Sequence, residues 1–201
     1  MATLLYQGHG SFRVTTAEGK VIYVDPYAGD GYDLPADLIL VSHQHPDHNQ
    51  VDLIGSRNPG CAVITEAEAL KDKKLQTFDL GYVTVEAVEA GNANHDPAQC
   101  VGFILTFSDG VKLYASCDTG KTAQMATFAA RHFDYAFYCC DGVYNMGLAE
   151  ASEAAALVGA RHDIPYHMAP GELFSREKAE QFVSDNRVIV AAGEEITLSP
   201  A

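Results

Sequence analysis

No apolar run in this chain approaches the ~20 residues that cross a bilayer. The first ten residues, Met-Ala-Thr-Leu-Leu-Tyr-Gln-Gly-His-Gly, carry no basic side chain and too short an apolar stretch for an export signal. Cytoplasmic residence without a membrane partner is the expectation. The five cysteines, at 61, 100, 117, 139 and 140, show no C-x-x-C spacing. An odd number without an export signal argues for reduced thiols buried in or beside strands. Basic residues are few, 13 Lys and Arg against 27 Asp and Glu, and the formal net charge of −14 repels polyanions. That excludes extended contact with a nucleic-acid backbone. No internal repeat, linker or low-complexity segment interrupts the chain, so residues 1–201 are read as one domain. A domain of this size buries roughly 70% of its unfolded surface, and needs neither a disulfide nor a structural metal to hold a core.

The hydrophobic pattern predicts short strands over Thr3–Gln7 and Phe12–Thr16, on either side of Gly8-His9-Gly10. Further strands are expected at Val21–Val24, Leu38–Ser42, Cys61–Ile64, Val83–Val88, Val101–Phe107, Val111–Ser116, Tyr135–Cys139, within 162–167, at Val188–Val190 and at Ile196–Leu198. Helices are expected at Val51–Ile54, Glu66–Lys73, Thr122–His132, Leu148–Val158 and Ser175–Ser184, the last with Ser175 as its N-cap. Strands dominate the first half, while strand and helix alternate in the second. The class is therefore layered α/β, with helices covering stacked sheets.

The apolar run Leu38-Ile39-Leu40-Val41 leads directly into Ser-His-Gln-His-Pro-Asp-His-Asn, residues 42–49. His43, His45, Asp47 and His48 thus stand together at a strand end. Four metal-binding side chains do not coincide idly at such spacing. Later metal-competent side chains also follow strands: His95, Asp118 in Cys117-Asp118-Thr119-Gly120, Asp141 and His167. Strand ends along one edge of a layered sheet are where α/β sites assemble.

The ordered set His43, His45, Asp47, His48, His95, Asp118 and His167 resembles the metallo-β-lactamase superfamily, whose pattern is an H-x-H-x-D-H run, a later His, an Asp after a strand and a final His. Gly8-His9-Gly10-Ser11-Phe12, Val24-Asp25-Pro26, Asp118-Thr119-Gly120, Tyr144-Asn145-Met146-Gly147 and Ile164-Pro165-Tyr166-His167 look like the branch containing the L-ascorbate-6-phosphate lactonases. Cys117 stands where that branch usually has Gly, and Asn145 where it usually has Thr. The resemblance implies a four-layer αββα sandwich and a metal-dependent hydrolase acting on a small lactone or ester.

In an extended segment residues i and i+2 point the same way, so His43 and His45 can hold one ion together. With His95 that ion keeps an open coordination position, as catalytic rather than structural sites do. Asp47, His48 and His167 would hold a second ion, with Asp118 bridging both. Such a pair shares a hydroxide, the pKa of water falling from about 15.7 towards ~7. Asp47 is also expected to orient that nucleophile and pass a proton to the leaving group. Two divalent ions are the expected cofactors. Zn²⁺ fits the imidazole-rich set, and Mn²⁺, Fe or Ni²⁺ are also tolerated.

Asp25, His9 and Asp141 are expected behind the ligands, bracing them. His132 is assigned to a helix C-terminus and His162 to a surface turn. Lys121, Arg13 and Arg176 are the cations that could meet an anionic substrate group, and 27–36 with 168–174 are expected at the pocket mouth. A small-molecule substrate is the expected partner; oligomeric state, a homo-oligomer included, is left open. Alternatives are a phosphodiesterase or β-lactamase-type hydrolase on the same site, and a non-catalytic metal-binding protein. A redox di-iron role is disfavoured, because related redox members tend to carry a carboxylate at the place of His45. Ala115–Thr122 approximates a phosphate-binding loop, but Asp118 would then sit among phosphates.

Overall fold

Strands that are apolar on both faces need cover on both sides, and the chain supplies it by stacking two sheets. The computed structural model describes residues 1–200. Its strands are β1 (Thr3–Gly8), β2 (Ser11–Thr15), β3 (Val21–Val24), β4 (Ala36–Leu40), β5 (Arg57–Ile64), β6 (Thr77–Asp79), β7 (Val83–Glu89), β8 (Val101–Phe107), β9 (Lys112–Ala115), β10 (Tyr135–Cys139), β11 (His162–Tyr166) and β12 (Glu195–Thr197). They form two six-stranded mixed sheets, ordered β12-β1-β2-β3-β4-β5 and β11-β10-β9-β8-β7-β6.

Alternation along β3 and β4 shows how the layers separate. Ile22, Val24, Leu38 and Leu40 belong to the large core between the sheets, whereas Val21, Tyr23, Ala36 and Ile39 form a second cluster on the outer face. Tyr32, Leu34 and Val51, from the loop after β3 and the 3-10 turn Val51–Leu53, cover that outer face. Phe12 of the first sheet stacks on Phe137 of the second, with ring centroids 5.0 Å apart, so Phe137 points inward. Its neighbour Tyr138 points outward and stacks on Phe182, just past helix α3 (Arg176–Gln181). Tyr114, Phe128 and Phe133 continue this outer aromatic layer. Helix α2 (Leu148–Val158) covers the same sheet, burying Ala151, Ala154, Ala155 and Val158 and ending at Gly159 in the left-handed region. The layered α/β sandwich is thus present, with helices thin on the first sheet.

Several expected elements differ. Residues Ala123–Arg131 form consecutive 3-10 turns rather than an α-helix. The buried residues there, Met125 and Phe128, lie three apart, which matches three residues per turn, and Thr122 provides no side-chain cap. His132 ends the segment at φ 55°, a left-handed position. The expected helix over 66–73 stops as α1 (Glu66–Ala69), capped by a reciprocal Thr65–Glu68 box, because Leu70 leaves helical geometry at φ −119°, and Asp72 at φ 54° prevents its resumption. Helix α3 ends at Gln181, short of Ser184. No strand forms over 188–190; the preceding Arg187 makes an isolated bridge to Asp163, whose carbonyl accepts from Val188 N at 2.9 Å. Strand β6 was not expected, since three residues with exposed ends carry too little pattern to signal a strand.

Candidate metal centre

The centre lies where the C-terminal ends of the parallel strands meet. Beyond β4, the chain from Val41 turns through His43–His48, with His48 N–H donating to the His45 carbonyl at 3.0 Å. This turn presents His43, buried, and His45, exposed, towards His95, which follows β7. One ligand atom from each of these three histidines lies within 4.8 Å of the others. Asp47, His48, His167 and His9 form a second such group. Asp118, after β9, reaches both: its Oδ2 is 3.2 Å from His95 Nε2, and its Oδ1 is 3.4 Å from the Nε2 atoms of His48 and His167. All seven residues expected as ligands therefore converge on one volume. Asp118 faces imidazoles, not a phosphate cradle.

The far nitrogens of His43, His48 and His95 are hydrogen-bonded, and that of His167 faces a carboxylate beyond hydrogen-bond geometry, which sets the near ones. Ser42 Oγ donates to Asp25 Oδ2 at 2.6 Å, so its lone pairs accept from His43 Nδ1 at 3.0 Å. His48 Nδ1 donates to the same Asp25 oxygen at 3.0 Å. His95 Nδ1 donates to Asn92 Oδ1 at 3.1 Å, and His167 Nδ1 lies 3.3 Å from Asp141 Oδ2. Each anchor turns its Nε2 towards the centre. Buried there without a hydrogen-bond partner are His43 Nε2, His48 Nε2, His167 Nε2 and Asp118 Oδ1. Orphaned buried acceptors are costly, and a divalent cation bound among them would remove that cost. The donor set, imidazole-rich with two carboxylates, fits such an ion.

Electrostatics agrees. Burial, with His48 nearby, pushes the His43 imidazole down to about 3, leaving it neutral at working pH. Burial would raise Asp118, but His48 and His167 hold its carboxyl well below the usual range. Asp47 is likewise held low against its own burial, chiefly by the hydrogen bond from His9 Nε2 at 3.1 Å. His48 would be lowered by burial, yet lying between Asp118 and Asp25 it is raised well above the ordinary imidazole value. A cation taking its place on Nε2 would displace that proton.

Local backbone geometry serves the same end. His9, Asp25, Cys117 and His167 all adopt left-handed φ, between 45° and 55°. Such turns cost non-glycine residues roughly 1–2 kcal/mol each. Cys117 occupies one of them, where a glycine would carry no such cost. Gly10 is required for space, since a Cβ on it would lie 2.7 Å from His48 Cε1.

Of the bracing residues, Asp25 and Asp141 touch ligand rings as described. His9 donates to Asp47 and lies against His167, the rings tilted by 41° with centroids 3.7 Å apart. Ser42 and Asn92 brace His43 and His95 but were not singled out from the sequence. The signal was available for Asn92, whose Oδ1 accepts from Asn94 N and His95 N at 2.8 and 3.0 Å, an Asx turn of the kind Gly-Asn-Ala-Asn invites.

A cavity of about 370 Å³ opens over the centre, lined by His45, Pro46, Asp47, Asn94, His95, Asp118, Tyr144 and His167. A hollow of about 250 Å³ adjoins it beyond Asn94 and His95. The expected mouth segments do not line either. Residues 168–174 instead hold His9, whose N donates to Leu173 O at 2.7 Å, and 27–36 covers the outer sheet face. The larger concavity of about 510 Å³ beside α2 contains none of the centre's residues.

Comparison with known proteins points the same way. Residues 3–167 match the family model described as β-lactamase superfamily domain. A metal-dependent hydrolase of Methanosphaera stadtmanae is 26% identical, across 94% of this chain and 97% of that protein. A crystal structure described as a putative metal-dependent hydrolase from Parabacteroides distasonis superposes with TM-score 0.75 at 24% identity, covering 94% of this chain and 92% of that one. The metallo hydrolase Igni18 of Ignicoccus hospitalis superposes at TM-score 0.72 and 21% identity, covering 97% of each. No helix here is long and apolar enough to cross a membrane. The chain belongs to the β-lactamase superfamily and, with its histidine–aspartate cluster, is a metal-dependent hydrolase.

Proposed function

We propose that the centre is dinuclear and hydrolyses a small lactone or ester. His43, His45 and His95 would hold one divalent ion, Asp47, His48 and His167 the other, and Asp118 both, with Zn²⁺ the expected metal. Bound there, the ions supply Lewis acidity and a hydroxide at neutral pH. Asp47, on the cavity wall and kept in place by His9, orients the attacking group and passes its proton to the leaving oxygen. Asp25 and Asp141 hold the rings of His48 and His167 in the orientation that attack requires. The observation carrying this reading is Asp118 standing between two imidazole groups, within 3.4 Å of three Nε2 atoms. A cavity of about 370 Å³ suits a small organic substrate.

Elemental analysis of protein purified without added metal tests the centre. About two ions per chain, falling sharply in Asp118→Ala and His43→Ala, is the expected outcome; content unchanged by both substitutions sinks it. Lactones, esters and phosphodiesters assayed with and without chelator then test catalysis. Chelator-sensitive turnover of a lactone or ester supports the reading. Metal-loaded protein that turns over none of the panel favours a binding protein instead.

A further inference from the structure

A substrate must be held by the walls around the centre, and those walls carry no cation. Among the described residues, none lining the cavity or its adjoining hollow is Lys or Arg. The nearest cations by sequence expectation are tied elsewhere. Arg13 donates to Gly31 O and pairs with Asp33 at 3.1 Å; Lys121 pairs with Glu153; Arg176 lies over Phe174. Lys178 Nζ, close to the site, donates to the carbonyls of Asp141 and Met168 at 3.2 and 2.7 Å. The proposed ions would be the fixed positive charges of the cavity and are engaged by the reacting group, so an anionic substituent lying away from them meets no Lys or Arg in a chain of formal net charge −14.

One residue of the cavity wall is aromatic and stands on a fixed backbone. Tyr144 lines the cavity and is 52% exposed, and its neighbour Val143, outside the lining, is 60% exposed. Their loop is not loose. Asp141 Oδ1 accepts the N–H groups of Val143 and Tyr144 at 2.7 Å each, and Asn92 and Asn94 donate to Tyr144 O at 2.9 and 3.0 Å. Gly142 N donates to Met146 O at 3.0 Å, and Met146 N to Thr119 O at 3.2 Å. The backbone of Tyr144 is thus clamped between the loop carrying His95 and the carboxylate bracing His167, and the residue lines the cavity. A ring on a fixed backbone has only its two side-chain torsions to lose when a ligand packs on it.

We infer that the site selects uncharged substrates bearing a flat apolar or aromatic group beside the bond that is cut, and that Tyr144 is the residue reading that group. This rests on the proposed hydrolytic centre and narrows its substrate to a neutral aryl-substituted ester or lactone, away from a sugar phosphate. Binding of hydroxamates, which grip metal ions directly, tests it without turnover. Zinc-loaded full-length protein is first checked for metal content, then titrated calorimetrically. Benzohydroxamate should bind about tenfold or more tightly than acetohydroxamate. Tyr144→Ala should cut that preference about fivefold, while Tyr144→Phe retains it, because the ring face rather than the hydroxyl makes the contact. A para-carboxylate on the ring should weaken binding about tenfold. Equal binding of the aryl and methyl compounds, equal loss of both in Tyr144→Ala, tighter binding of the carboxylate, or no binding by metal-loaded protein overturns the inference. Failure to load metal is the separate result that sinks the hydrolase centre itself.

Discussion

The two sheets are paired alike from edge to edge: three antiparallel steps and then two parallel ones run from β12 to β5, and again from β6 to β11. Equivalent strand ends even carry similar residue types. His9 follows β1 and His95 follows β7; Asp25 follows β3 and Asp118 follows β9. The tasks at these ends differ, however. Past β3 the carboxylate braces His48 from behind, while past β9 it faces the centre. Past β4 the chain presents a cluster of ligand side chains, while past β10 Asp141 braces His167. The same backbone position thus serves the front of the centre in one sheet and its support in the other.

The largest effect should fall on the contact that fastens the sheets together. Phe137→Ala removes the ring stacked on Phe12 and should cost about 3–5 kcal/mol, seen as a lower urea midpoint with metal content per folded chain preserved. A smaller loss, under about 1 kcal/mol, would mean the inter-sheet stack is dispensable. Next come the paired carboxylates. Asp118→Asn should reduce metal affinity by more than the roughly 10–100-fold expected for Asp25→Asn, measured by competition with a chelator. Equal losses would erase the division between facing and bracing.

Asp141→Asn should weaken metal binding about tenfold and also unfasten the 143–145 turn. Burial would raise the Asp141 carboxyl, but His167 and the Tyr144 and Val143 N–H groups hold it below the ordinary carboxylate range. Its contribution to stability is therefore full above about pH 4 and is lost as pH falls through the lower folded value. In metal-free protein the stability gap between wild type and Asp141→Asn should accordingly narrow from pH 5 to pH 2; a gap that widens on acidification contradicts the assignment. The smallest effect is expected for Cys117→Gly, which relieves left-handed strain but deletes a buried thiol. Chemical denaturation should place it within about 1 kcal/mol of wild type, and a loss of more than ~3 kcal/mol would show that the side chain matters more than the backbone.

What could be read in advance follows the range of each interaction. Strands such as Val21–Val24 and Val101–Phe107 carry their own apolar pattern, and four ligand side chains fall within the six residues 43–48, so both were visible locally. His95, Asp118 and His167 were found by their order after strands and by family resemblance. Residues 123–131 misled because Ala, Gln and Met favour an α-helix, whereas seating Met125 and Phe128 requires tighter turns. Tyr144 carried a motif resemblance but no sign of its exposure or of the hydrogen bonds that fix it.

By itself the sequence determined the layered class and the histidine run with its later partners, because residue type and short spacing encode them. Order along the chain and family resemblance placed Asp118 among the ligands and Asp25 behind them; only the tertiary structure decided which groups hold each carboxylate in that role. Asp25 and Asp118 are the same residue after equivalent strands, and neither composition nor spacing separates them. The difference arises because Ser42 and His48 surround Asp25 while His48, His95 and His167 surround Asp118, contacts made across the sheets and far apart in the chain.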